Sequence, residues 1–364
     1  MKQKERIVGL DLLRILAMFF VVVVHVLGQG GVMEKAMSVS KWHYYPLKLI
    51  QAVAYCAVPC YAILSGYVGV DKKWKPSNLI SLVFTALFYT IGFSVLFYLL
   101  KPKEIGFSGM LRGMLPDYWY LVCYFGLFFF MPLLNKTLEA ISQKMIFCIL
   151  LLMFFVFSMT SPILMAIKRD PFRLLEGFSV IWLLVLYLVG GYLKLYGICK
   201  NRLKLKMVML FLLSIFITLL SKGLTNELGY GNMNLLYHYT SPTIFLASVA
   251  LVVLFANMDI RWKKKGIITY FSTFTFAVYL IHQQQFVNIY CIENQFLWVL
   301  EYHWIISVLA VLGGALLIYL ICSIMDMIRF YIFQWLRLKQ FAVWIEKTCA
   351  RAIDWLTIKM GINE

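Results

Sequence analysis

Runs of about twenty apolar residues recur along the whole chain, and they constrain the fold more than any motif does. They fall at 10–28, 47–67, 79–99, 118–134, 146–166, 179–196, 207–221, 238–256, 267–289 and 304–328, ten in all. Coiled as a helix rising ~1.5 Å per residue, such a run matches the ~30 Å hydrocarbon core of a bilayer. A helix also satisfies its own backbone N–H and C=O groups, which lipid cannot. The expected fold class is therefore all-α: a polytopic membrane protein of about ten transmembrane helices. No linker long enough to join a second domain interrupts residues 1–328. Residues 329–364 form a basic tail whose Trp335, Trp344 and Trp355 alternate with Lys and Arg, a composition suited to an amphipathic helix on the inner leaflet.

Charge sets the expected orientation. Only 14% of the 364 residues are charged and 62% are hydrophobic, yet the formal net charge is +17. No soluble basic domain exists to carry a nucleic acid, so none is expected as a partner. The excess instead follows the rule that cytoplasmic loops are rich in Lys and Arg. Twenty-two Lys and Arg fall on the N-terminal side of the ten spans and ten on the other, Lys48 at the edge of its run counted with these, while Arg14 and Lys194 lie inside spans. Both termini are expected in the cytoplasm. The first apolar run is too long for a cleavable signal. The eight cysteines form no C-x-x-C pair and read as small core residues.

Polar residues inside apolar runs are expensive and mark function. The stretch Arg6 to Gly28 keeps Asp11, Arg14 and His25. Arg14 and His25 are eleven residues apart, about three turns, so they share one face and lie ~16 Å apart along the axis. Asp11, three residues before Arg14, is in ion-pair reach. His282, fifteen residues into its run as His25 is into its own, sits at a similar height and is followed by Gln283, Gln284, Gln285 and Asn288. An imidazole there can act as a general base. The five histidines show no metal-ligand spacing, and no catalytic metal is expected.

Four stretches together resemble the membrane-bound acyltransferase-3 family. RIVGLDLLRILAMFFVVVVHV is similar to that family's opening, an Arg followed eleven residues later by a His in the first span. ILSGY at Ile63–Tyr67, DYWYLVCYFGLFFFMPLLN at Asp117–Asn135 and FAVYLIH at Phe276–His282 resemble its later motifs, in the same order. The chain resembles the stand-alone members, which lack an added esterase-like or racemase domain. The resemblance implies an O-acetyltransferase of the cell membrane, the bacterial plasma membrane included. It would move an acyl group, most often acetyl, from cytosolic acetyl-CoA to a hydroxyl of a cell-envelope polysaccharide or its lipid-linked precursor. On that analogy His25 and Arg14 are the catalytic residues, His25 as general base or as covalent acyl carrier and Arg14 in the donor channel. Arg14, Lys72 and Lys73 would bind the CoA phosphates, although the lysines equally serve positive-inside topology. Trp119, Tyr120 and His282 would face the acceptor, although Trp119 and Tyr120 also suit an aromatic belt. Ser65 and Gly66 read as close helix packing. A secondary transporter is the alternative; it would ordinarily show duplicated halves and helices broken at midplane, and no such symmetry is evident.

Overall fold

The apolar runs become helices because nothing else in them satisfies the backbone, and the helices end where proline, glycine or polar clusters fall. The structure, a computed structural model, describes residues 6–197, 203–231, 233–258, 260 and 265–360. Lys2, Lys4, Lys200, Arg202, Arg261, Lys263 and Lys264, counted above for orientation, and Cys199 lie outside the described residues. Helix α1 is Val8–Leu27, followed by α2 (Val32–Val39), α3 (Lys41–Ala54), α4 (Ala57–Gly69), α5 (Pro76–Leu100) and α6 (Pro102–Gly113). Next come α7 (Trp119–Ala140), α8 (Gln143–Met153), α9 (Ser161–Ala166), α10 (Val180–Tyr196), α11 (Leu203–Glu227) and α12 (Pro242–Ala256). The last five are α13 (Lys265–Phe271), α14 (Thr275–His282), α15 (Gln285–Cys291), α16 (Trp304–Trp335) and α17 (Leu338–Lys359). No strand occurs among the described residues.

Among the described residues seven stretches are long and apolar enough to cross a membrane: α1, α3 with α4, α5, α7, α8 through α9, α11 and α16. Helices α10 and α12 are apolar but shorter. The run 267–289 departs most from expectation, because it is three short helices rather than one. Its breaks fall at residues 272–274 and 283–284, where polar side chains compete for the backbone. The Gln284 side chain accepts from the N–H groups of Phe286 and Val287 and so restarts the chain as α15. A broken helix, taken above as a transporter sign, is thus present here. Irregular backbone of this kind is tolerated where protein surrounds it or it borders a cavity.

Helix α1 runs through the middle of the bundle against α3, α4, α12, α13, α14 and α16. We call the end carrying Arg6 the base and the end carrying His25 the top. The α3–α4 stretch breaks at Tyr55–Cys56. Pro59, four residues after Tyr55, has no N–H to give its carbonyl, and its ring clashes there. The break opens space beside the upper half of α1. Helices α4 and α10 meet backbone to backbone: a Cβ on Gly66 would strike the Tyr187 carbonyl, and one on Gly190 the Ile63 carbonyl. Cys56, Cys60, Cys123 and Cys322 are buried, whereas Cys148, Cys291 and Cys349 are exposed and so are not core residues; all seven are free thiols. Helix α16 continues past residue 328 to Trp335, and α17 follows as a separate helix with Trp344 and Trp355 exposed.

Candidate active site

The charged residues on the polar face of α1 are paired with each other and with groups from outside the helix. Asp11 is fully buried. It accepts from Arg14 Nη1 at 2.5 Å, from Arg6 Nε and Nη2 at 2.6 and 3.0 Å, and from Thr269 Oγ1 at 3.3 Å. The Asp11–Arg14 pair anticipated by their spacing is present, but two arginines share the carboxylate. Arg6 also donates to Ser272 Oγ at 3.1 Å, tying the first break of the α13–α15 segment to α1. One buried carboxylate thus holds two guanidinium forks at fixed angles, and four of their ten donors are engaged among the described residues.

These arginines line two adjoining cavities at the base. One, about 400 Å³, is bounded by Arg6, Asp11, Arg14, Asp71, Lys72 and Lys194. The other, about 320 Å³, carries Arg14, Ser65, Lys72, Lys73, Lys75 and Asn135 among its walls. Arg14 and Lys72 border both, so the two form one basic vestibule. Cations outnumber the carboxylates of Asp11 and Asp71, and the chamber suits a multiply charged anion. Burial, and after it the charges of Arg14 and Arg6, hold the Lys72 ammonium below the ordinary lysine range, with Asp11 opposing.

At the top, His25 Nδ1 lies 2.8 Å from His282 Nε2, and His282 Nδ1 lies 2.5 Å from the Val278 carbonyl oxygen. These two distances assign the protons. A backbone carbonyl can only accept, so His282 donates from Nδ1. In the neutral ring Nε2 is then an acceptor, so His25 must donate from Nδ1. The lone pair of His25 is thereby left on Nε2. His282 ends α14, and its carbonyl partner is four residues back on the same helix, so the orientation is built into the FAVYLIH segment.

His25 lines a cavity of about 280 Å³ beside the break in α3–α4. Its walls are aromatic. Trp119 and Phe178 have ring centroids 4.4 Å apart, Phe178 and Tyr239 5.2 Å, and Tyr120, Tyr55 and Tyr279 complete the enclosure. The mouth is an amide pair, Gln29 and Gln283, each donating to the other at 3.1 and 2.7 Å. Asn288 donates to the same Gln29 oxygen at 2.7 Å. Tyr61 lines this upper cavity and also the basic vestibule, and its hydroxyl donates to the Arg14 carbonyl at 2.7 Å. One phenol ring therefore stands between the two chambers.

All but one of the site residues singled out from sequence line one of these chambers. Arg14, Lys72 and Lys73 line the vestibule, and Trp119 and Tyr120 line the upper cavity with His25. His282 is fully buried behind His25 with both nitrogens engaged and does not line the cavity. It faces the His25 ring. Sequence reasoning passed over Arg6 and Tyr61. A lone carboxylate deep in an apolar run needs compensating cations, and that signal pointed to Arg6; nothing local points to Tyr61, Phe178 or Tyr239. Among the described residues no group of three or more His, Cys, Asp or Glu is arranged to hold a metal.

A family model described as an acyltransferase domain matches residues 7–327. Comparison with curated proteins finds no match, and comparison with solved structures finds none.

Proposed function

The chain belongs to the acyltransferase-3 family, and from that premise we propose that it is an integral membrane O-acyltransferase. It moves an acyl group, acetyl foremost, from cytosolic acyl-CoA to a hydroxyl of a cell-envelope polysaccharide or its lipid-linked precursor, in a bacterial plasma membrane. The observation that carries this reading is one helix with a basic vestibule at its base, a histidine with its Nε2 lone pair assigned in an aromatic cavity at its top, and Tyr61 bordering both. In this reading α10, α12 and the α13–α15 segment complete ten crossings, both termini are cytosolic, and the base opens to the cytosol. The test is the ester content of the envelope polysaccharide with and without the protein, together with CoA released by purified protein in vesicles given acyl-CoA and a glycan. Unchanged ester content and no CoA release would end the proposal.

The chemistry proceeds in balanced steps. The vestibule grips the donor phosphates through Arg14, Lys72 and Lys73, and the pantetheine arm extends past Tyr61. His25 Nε2 takes the proton of the acceptor hydroxyl as its oxygen attacks the thioester carbonyl. A C–O bond forms, the C–S bond breaks, and the departing sulfur receives the proton from Nε2. His282 Nε2 faces the His25 Nδ1–H throughout and stabilises the imidazolium while it exists. The same geometry serves a covalent path in which Nε2 attacks the thioester carbonyl, the C–S bond breaks and CoA leaves as thiolate, and the hydroxyl oxygen then takes the acyl group as the C–N bond breaks, its proton ending on the CoA sulfur. Trp119, with Phe178 and Tyr239, offers ring faces on which a sugar can stack. Secondary transport is favoured only by the broken α13–α15 segment, whose polar side chains are already engaged with Arg6, Asp11 and Gln29. Solute movement without CoA release would mark that alternative.

Three outcomes follow from this reading. Lys72 loses its proton at lower pH than an ordinary lysine, and a bound phosphate would restore it. CoA binding is therefore expected to weaken as pH rises through the lowered Lys72 value and to take up protons there; Lys72→Arg should flatten that dependence in calorimetric titrations. Tyr61→Ala should join the chambers and let water reach the thioester, raising acceptor-independent CoA release on the order of tenfold, while Tyr61→Phe stays near wild type. Equal hydrolysis by both variants would show that Tyr61 separates nothing. For orientation, a single cysteine at position 73 should resist an impermeant thiol reagent in intact cells and react after permeabilisation; labelling in intact cells would invert the topology.

A further inference from the structure

A second amphiphilic cavity lies away from α1, along the seam between α5 and α16. At the base the seam widens to about 540 Å³, bordered by Ser77, Ser81 and Thr85 on one face of α5, by Arg329 of α16 and by Lys339 of α17. The hydroxyls recur every four residues and so line up vertically. Arg329 is fixed by Asp326, which takes Nε and Nη2 at 2.6 and 2.9 Å, two of its five donors. Asp326 is fully buried and also accepts from the Tyr89 hydroxyl at 2.6 Å, which ties α5 to α16 across the seam. Its charge is thus spent on Arg329, and the remaining cation at the rim is Lys339. Glu346 of α17 accepts from the Ser77 backbone N–H at 3.2 Å and closes the base.

Above Arg329 the same seam continues as an apolar groove of about 230 Å³, bordered by Phe88, Gly92 and Leu96 of α5 and by Met325 and Ile328 of α16; Arg329 borders both parts. Leu96 is 46% and Ile328 59% exposed, so the groove opens on the outer surface of the bundle, where acyl chains lie. From Thr85 to Leu96 is eleven residues, ~16 Å of helix, about half of a ~30 Å core and hence one leaflet. A Cβ on Gly92 would meet no protein atom within 4 Å.

We propose that this seam is a binding site for one anionic phospholipid of the leaflet at the base, its phosphate held by Arg329 and Lys339 and one acyl chain laid along Phe88, Gly92 and Leu96. A head chamber that offers the Arg329 donors Asp326 leaves and the Lys339 ammonium, continuous with an apolar groove of one-leaflet length, matches that chemistry. The site is separate from the histidine cavity and does not depend on the catalytic reading. Asn78 borders both the head chamber and the basic vestibule, which makes the nucleotide end of a CoA donor the competing occupant.

The test uses the full chain, purified in mild detergent and examined by native mass spectrometry, then exposed to phosphatidylglycerol or phosphatidylcholine. Wild type is expected to retain one anionic lipid per chain and to prefer phosphatidylglycerol on the order of tenfold, a difference that cationic contacts to a headgroup supply. Lys339→Glu should lose that preference, and Gly92→Leu, whose Cβ meets open space and whose longer side chain fills the groove, should lose the lipid whatever its headgroup. Both substitutions lie on the surface, and an unchanged elution profile verifies folding. Equal lipid retention by all three proteins, equal uptake of phosphatidylcholine by wild type, or release of the lipid by added CoA would each overturn the assignment.

Discussion

His25→Ala is expected to lower acyl transfer on the order of 10³-fold or more, the loss that follows removal of a positioned general base, and to abolish it if Nε2 carries the acyl group. Of the five histidines in the chain, His25 alone lines the upper cavity, and the Val278–His282 pair leaves the lone pair of its Nε2 free. His282→Ala should cost on the order of 10²-fold, because it removes the acceptor that sets the His25 tautomer, as loss of the orienting carboxylate does in serine-protease triads. From sequence alone His282 was an acceptor-side residue whose loss would be milder. A Gln at position 282 can still accept from His25 Nδ1 and should recover part of the rate. Radiolabelled acyl transfer measures these effects, with retained CoA binding and monodisperse elution as the folding control, since the vestibule is remote from both rings. A folded His25→Ala protein that still acylates its glycan would sink the mechanism.

Arg14→Ala is expected to reduce kcat/KM on the order of 10²-fold, mainly through weaker donor binding, in line with ~1.5–3 kcal/mol for a hydrogen bond to a charged group. The variant should remain folded, because Arg6 and Thr269 still satisfy Asp11. Arg14→Lys should keep intermediate activity, a point charge replacing a planar fork. Asp11→Asn should weaken donor binding as well, by releasing both arginines from one anchor. Calorimetric CoA binding reads all three variants. Wild-type affinity and rate in Arg14→Ala, at normal abundance, would remove Arg14 from the donor site.

Much of this site was legible because its spacing is helical. Asp11, Arg14 and His25 belong to one α-helix, so their common face and separation follow from 3.6 residues per turn without knowledge of any neighbour. The same holds for FAVYLIH, where the helix that presents His282 also supplies the Val278 carbonyl that orients it. The run 267–289 was misread as one helix because hydropathy averages over the serines, threonines and glutamines that break it. Those side chains terminate helices only when they find partners, and Arg6, Asp11 and Gln29 come from the other end of the chain.

The sequence by itself determined that the chain folds as apolar helices suited to lipid, that a charged face lies on α1, and that two histidines stand at similar heights on separate helices. These are properties of a single helix or of composition, set by local geometry and the cost of leaving backbone groups unsatisfied in hydrocarbon. Only the tertiary structure decided that His25 and His282, 257 residues apart in sequence, share a hydrogen bond, that Arg6 joins Arg14 on Asp11, and that Tyr61 stands between vestibule and cavity. Such contacts depend on which helices lie side by side. In this bundle that follows from backbone approaches such as Gly66 against Tyr187 and from the kink at Pro59, interactions between distant segments that no local period encodes.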